Sequence, residues 1–266
     1  MPTDGRRPLG PAAALRAALV GLVSTLALGA GVAEARPLSI LSLDQCADQF
    51  VLAMRQEGDR LTLSPRADDE DSYMHEAAAG HRVARPGLEA VVMARPDVVV
   101  RYWGGDPALL RGLERRGVPV VTVSDATNFD GVRANVRAVA EGLGRPEAAD
   151  PLVAEMDADL AAAGSGLRTR SALYLTAGGF TAGLRNAAPA PGFGPVSIEG
   201  LVMHPPARFV LGFFDDVRRD RRGPGRHPAL ARRMAERPTV SLPSSEISCP
   251  AWFAARAARR LAEMGE

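Results

Sequence analysis

The stretch Leu88-Glu89-Ala90-Val91-Val92-Met93-Ala94-Arg95-Pro96-Asp97-Val98-Val99-Val100 has a loose copy at Ile198-Glu199-Gly200-Leu201-Val202-Met203-His204-Pro205-Pro206-Ala207-Arg208-Phe209-Val210. Glu89 falls on Glu199, Met93 on Met203 and Pro96 on Pro206, a constant offset of 110 residues. Each copy predicts the same unit: an amphipathic helix with an acid in its first turn, a proline stop, and a buried strand ending at aromatics. Those aromatics are Tyr102-Trp103 in the first copy and Phe213-Phe214 in the second. Proline disfavours helical geometry in the residue before it and so closes the helix. Val98-Val99-Val100 is β-branched throughout, as a strand covered on both faces should be. Any α/β chain repeats helix–proline–strand units, but three residue types held in register favour two similar lobes.

Upstream, Leu38-Ser39-Ile40-Leu41-Ser42-Leu43 predicts a strand and Gln49 to Met54 a helix, with Asp44 as a plausible cap for the free N–H groups between them. From Glu57 to Pro86 the chain is polar and turn-rich. It carries the acidic run Asp68-Asp69-Glu70-Asp71 together with Tyr73, His75, His81 and Arg82. Long irregular segments are often functional, and a plain solvated loop is the alternative. Downstream, Gly104-Gly105 suits a turn at the carboxyl end of a strand, the edge where open α/β sheets bind ligands. A helix from Pro107 and the strand Val118-Pro119-Val120-Val121-Thr122-Val123 continue the alternation, which implies a parallel sheet. Helical runs follow at Asn128–Leu143 and Glu147–Ala163.

The second lobe opens on Ser171-Ala172-Leu173-Tyr174-Leu175-Thr176 and the loop Ala177-Gly178-Gly179-Phe180-Thr181-Ala182-Gly183, which fits neither a dinucleotide loop nor a P-loop. Fewer residues separate Leu173 from Glu199 than Ile40 from Glu89, so this lobe lacks room for the helix after its first strand. The expected organisation is a segment 1–35, an N-terminal lobe 36–145, a connecting helix 146–167 and a shortened C-terminal lobe 168–266.

With 266 residues, 46% of them hydrophobic, the chain can bury real cores in two α/β lobes. A net charge of +1 argues against a nucleic-acid partner. All the basic residues are arginine, as in a composition biased to Ala, Arg, Gly and Pro. Arg6, Arg7 and Arg16 precede an apolar core from Ala17 to Leu28, and Ala33-Glu34-Ala35 supplies small residues. That order predicts a secretory signal peptide cleaved after Ala35; an uncleaved anchor is the alternative. Export places the rest of the chain in an oxidising compartment.

Ile40-Leu41-Ser42-Leu43-Asp44-Gln45-Cys46-Ala47-Asp48, the unit from Leu88 to Val100, Gly117-Val118-Pro119-Val120-Val121 and Gly142-Leu143-Gly144-Arg145-Pro146 together resemble the periplasmic substrate-binding proteins of ABC importers for iron chelates and vitamin B12. The resemblance covers most of Arg36 to Glu266 and is strongest from Leu38 to Ala163. It implies an α/β fold of two Rossmann-like lobes with mostly parallel sheets joined by one long helix, a ligand in the cleft between them, and no enzyme activity. It implies a monomer without cofactor that captures a metal chelate (ferric siderophore, haem or cobalamin) in the periplasm and delivers it to an inner-membrane ABC permease. It also implies one exposed glutamate per lobe that meets arginines of the permease; Glu89 and Glu199 match. Local helix-dipole stabilisation explains an acid in a first turn, but not two in register.

In the vitamin B12 members an aromatic ends the strand of the first unit, and Trp103 looks similar. Tyr73 and Phe180 are further candidate ligand contacts, and Arg82 and Arg101 candidates for anionic groups, since guanidinium pairs carboxylate in bidentate fashion. Aromatics bury flat area at low entropic cost, which suits a corrin, porphyrin or catecholate. Core packing is the alternative for Trp103. Cys46 and Cys249 are an exported pair that either forms a disulfide, worth roughly a few kcal/mol over so long a loop, or stays apart as two thiols on different lobes.

The four histidines, His75, His81, His204 and His227, are scattered and no third ligand joins any two, so no metal site is expected. No nucleophile elbow, zinc helix or nucleotide loop is present. The competing reading is an exported α/β protein of another class, a divalent-cation binder or an enzyme without a recognisable motif.

Overall fold

The computed structural model describes residues 36–164, 172–176, 180–184, 194–195, 197–215 and 222–263. The expected signal peptide therefore lies outside the described residues. In the first lobe, β1 (Ser39–Ser42), α1 (Gln45–Ala53), β2 (Arg60–Leu63), α2 (His75–Ala78), β3 (Arg82–Val83), α3 (Leu88–Ala94), β4 (Val98–Arg101), α4 (Pro107–Glu114) and β5 (Val120–Thr122) follow in order. Their sheet runs β3-β2-β1-β4-β5, with every pairing parallel. The strand order reverses between β1 and β4, where Ile40 pairs with Val98. A crevice at the carboxyl ends of those two strands is the geometric consequence. The supposedly irregular stretch 57–86 thus contains β2 and β3. Asp44 caps α1, and the helix starts at Gln45, four residues before the sequence expectation.

Two helices, α5 (Phe129–Gly142) and α6 (Ala149–Ala163), lead to the second lobe. There β6 (Ala172–Thr176), β7 (Phe180–Leu184), β8 (Gly194–Pro195), α7 (Ile198–Met203), β9 (Phe209–Gly212), α8 (Pro228–Ala235), β10 (Thr239–Leu242), α9 (Ser244–Ile247) and α10 (Ala254–Glu263) follow. The sheet order is β10-β9-β6-β7-β8. β10, β9 and β6 are parallel, whereas β7 runs antiparallel to both β6 and β8. The short spacing before Glu199 is filled by this antiparallel excursion in place of a helix. Both lobes belong to one compact unit.

The chain end does not stay in lobe two. Trp252 and Phe253, each 1% exposed, complete the core that Phe50, Val51 and Leu63 build in lobe one. Trp252 meets Phe50 edge-on at 5.6 Å. Cys46, in the first turn of α1, and Cys249, just beyond α9, form a disulfide with Cα atoms 5.3 Å apart. The boundary expected at residue 168 therefore misplaces the last stretch, because apolar burial in lobe one outweighs sequence proximity.

Two buried carboxylates hold lobe one together. Asp59 accepts both guanidinium N–H groups of Arg145, at 2.6 and 2.7 Å, and the backbone N–H of Leu38. Asp48 accepts the N–H of Ser64 at 3.0 Å and its hydroxyl at 2.5 Å, tying the exit of β2 to α1. Burial pushes the Asp48 carboxyl up to about 6, against the opposing Ser64 and Ser42 hydrogen bonds. Its stabilising contribution is complete below the ordinary value of 3.8 and is lost as pH rises through about 6. Asp48→Asn removes that titration. Urea unfolding between pH 4 and 7 is expected to show the parent losing roughly 2–3 kcal/mol relative to the variant across this window. A pH-independent difference would mean that the carboxyl ionises as easily folded as unfolded.

Candidate functional site

The loops leaving β1 and β4 meet at the switch point and are stapled by one side chain. Asp44 accepts the N–H of Ala47 through one oxygen at 2.9 Å. Its other oxygen takes the N–H groups of Tyr102 and Gly104, at 2.7 and 2.8 Å. Gly104 is required there because a Cβ would run into the Leu43 carbonyl oxygen. Gly105 follows at φ +87°, a left-handed turn that side chains disfavour. Arg101 braces the same loop by donating its Nε–H to the Gly104 carbonyl at 2.6 Å. The result is an indole, Trp103, held out on a fixed loop with 72% of its surface exposed.

A cavity of about 450 Å³ opens beside it, within the roughly 300–1,000 Å³ typical of small-molecule sites. Lobe one supplies Leu43, Asp44, Pro65, Arg66, Pro86 and Trp103, while Phe213 and Ser248 close it from lobe two. The Cys46 end of the disulfide forms part of its floor. Phe213 is one of two non-glycine residues with positive φ among those described, at +62°. A left-handed aromatic costs on the order of 1–3 kcal/mol, and such strain gathers at ligand clamps. Phe213 lies 110 residues after Trp103, so the two walls of the cavity are equivalent positions of the repeat. Sequence reasoning noted the aromatic pair at each strand end but left Phe213 out of the site; applying the offset to Trp103 finds it.

Tyr73, Arg82 and Arg101 do not line this cavity. Tyr73 stacks on Phe253 at 4.2 Å, with the Arg256 guanidinium 5.0 Å above its ring. Burial, then the Glu155 carboxylate beside it, pushes its hydroxyl up to about 12. It is a half-buried bracket for the chain end and does not line the cavity. Arg82 sits on the edge strand β3 and lines a separate hollow beside Arg60 and Arg95, at the amino ends of the strands. The carboxyl-end cleft is out of its position in the sheet. Arg101 acts on the Trp103 loop and does not line the cavity. Phe180 begins β7, its backbone paired with Pro195.

Glu89 and Glu199 are both exposed, in the first turns of α3 and α7. Ser197 caps α7 by accepting the N–H of Gly200 at 3.1 Å. Four residues after each acid stands an exposed methionine, Met93 at 65% and Met203 at 71%. Residues four apart share a helix face, so each lobe presents one carboxylate with one apolar neighbour. Among the described residues no group of three His, Cys, Asp or Glu side chains is arranged to hold a bare ion.

A family model described as periplasmic binding protein matches residues 59–195, more than half of the chain. The chain belongs to the periplasmic binding protein family. The family and its structural neighbours are binding proteins of transport systems, not enzymes. The fold is similar to the periplasmic haem-binding protein BhuT in complex with two haems, at TM-score 0.62 and 20% identity over 86% of this chain and 99% of that one. It is similar to the apo form of the periplasmic haem-binding protein RhuT from Roseiflexus sp. RS-1, at TM-score 0.64 and 20% identity over 86% and 98%. The vitamin B12-binding protein BtuF of Vibrio cholerae aligns at TM-score 0.57 and 17% identity over 86% and 96%. Identities this low establish the shared two-lobe fold. No curated protein sequence matches at comparable significance.

Proposed function

We propose that this chain is the substrate-binding component of an ABC importer. It acts in the periplasm as a monomer, after loss of residues 1–35, and captures a metal chelate in the cleft between residues 36–145 and the second lobe. It then presents Glu89 and Glu199 to arginines of the permease. The observation that carries this reading is the cavity at the strand-order switch, walled by Trp103 on one lobe and the strained Phe213 on the other. Flat aromatic faces on opposite sides suit a bulky chelate. Haem and vitamin B12 binding in proteins of the same fold supports the ligand class.

Titration of the purified chain with ferric siderophore, haem and cobalamin is expected to quench Trp103 fluorescence with at least one of them. Trp252, the other tryptophan, is buried against Phe50, and the same titration of Trp103→Phe measures its share of the quenching. Trp103→Ala and Phe213→Gly are each expected to weaken binding about tenfold or more. Phe213→Gly also relieves the left-handed strain, so its lost affinity should come without lost stability. No quenching by any of the three sinks the chelate reading.

A further inference from the structure

Haem iron is held in proteins by an axial His, Cys, Met or Tyr. The sequence holds four His, two Cys, eight Met and three Tyr, and nearly all are placed. His75 turns its Nδ1 to the Ser72 carbonyl at 2.9 Å, and His81 lines the hollow at the amino ends of the strands. His204 follows α7, just ahead of β9 and so on the amino-end side of the second lobe's sheet. His227 caps α8 by accepting the N–H of Ala229 on Nδ1, outside the cavity lining. Tyr73 is stacked on Phe253, the Tyr102 hydroxyl is bound to Asp125, and Tyr174 packs over Gly212.

The sulfur atoms are equally committed. Cys46 and Cys249 are bonded to each other. Met54, Met156 and Met234 are buried, Met74 packs against the main core, and Met93 and Met203 face outward on α3 and α7. Residues 165–171, 177–193 and 216–221 contain none of these four residue types. Of the chain after residue 35, only Met264 lies outside the described residues. The carboxylates at the cavity are engaged as well. Asp44 holds three backbone N–H groups, and Asp71 accepts from Arg66 at 2.6 Å and Gln45 at 3.1 Å.

We infer that the protein gives no atom to the metal of its guest. The preferred substrate is a chelate whose metal is already fully coordinated by its own chelator, gripped through its outer faces by Trp103 and Phe213. This rests on the chelate-binding reading above and narrows it: the neighbours of the same fold include haem binders, yet the described residues lining this cleft include no His, Met, Tyr or free Cys. Discrimination then comes from the shape and periphery of the chelator, not from metal identity. An inert metal of the same charge and size in the same chelator should bind equally well.

The test titrates the purified mature chain with cyanocobalamin, with a ferric and a gallium tris-catecholate, and with hemin, following tryptophan fluorescence and the visible spectrum. The expected result is quenching by a coordinatively complete chelate, with iron and gallium forms alike in affinity if the catecholate is the guest. Hemin should keep the Soret and charge-transfer bands of the unligated form. A hemin spectrum showing histidine, thioether or tyrosinate ligation overturns the inference while leaving chelate binding intact. Repeating that titration with His227→Ala and Met264→Leu identifies the ligand responsible. If none of the four binds, the chelate reading falls, and this inference with it.

Discussion

Reversing both exposed acids, Glu89→Arg with Glu199→Arg, is expected to abolish chelate uptake by intact cells while leaving affinity for the chelate unchanged. The two residues lie in the first turns of α3 and α7, one on each lobe, and neither lines the cavity. If they meet arginines of a permease, reversal sets like charges face to face across an interface, which costs several kcal/mol at each site. The two sites sit on separate lobes and share no side-chain partners, so the penalties add. Each single reversal should give a partial loss. Replacing Met93 and Met203 with serine, which keeps both charges, should weaken uptake less. The measurement is uptake of labelled chelate at matched periplasmic levels of parent and variant. Undiminished uptake by the double variant would show that delivery does not pass through these acids.

The second large effect concerns stability. Arg145→Met is expected to lower the unfolding free energy by about 3–5 kcal/mol at neutral pH, because it strands a buried carboxylate. Arg145 and Asp59 have side chains 0% and 1% exposed and share two charge-assisted bonds. Arg145 also donates to the Met54 carbonyl at the end of α1, so the pair joins α1, the entry to β1 and the turn between α5 and α6. Burial alone would raise the Asp59 carboxyl, but Arg145 and the backbone N–H groups of Gln56 and Leu38 overcome it and hold the group below its ordinary 3.8. The stability this carboxylate contributes is present above 3.8 and is lost as pH falls through the lowered value. The gap between parent and variant should therefore narrow in acid. Denaturant unfolding at pH 7 and pH 3 measures both effects; an equal gap at the two values would remove the ion pair as its cause.

How much of this was legible beforehand depended on distance along the chain. The twin helix–proline–strand units, the Asp44 cap and the aromatic at the end of β4 are local patterns, and the residues that make them suffice to find them. β2 was missed because Arg60-Leu61-Thr62-Leu63 is four residues long and set in polar sequence. It is a strand because β1 and β3 flank it, a fact of the sheet and not of those four residues. Tyr73 is a ligand candidate by the family resemblance; its stacking partner Phe253 lies at the other end of the chain, beyond the reach of local pattern. Arg101 is in the neighbourhood the sequence indicates, and there it braces the Trp103 loop at the Gly104 carbonyl. Phe213 is encoded by the same 110-residue offset that reveals the lobes, whereas its left-handed backbone is visible only in the structure.

The return of the chain end into lobe one bears on how the protein is made. The half synthesised first has a core around Phe50 that Ala251, Trp252, Phe253 and Ala255 complete, and a cysteine whose mate is the 249th residue. Domains usually finish in the order in which they emerge, but here the first must wait for the last. A polypeptide that ends short of Cys249 therefore leaves an open apolar socket in the first lobe for chaperones and proteases to find.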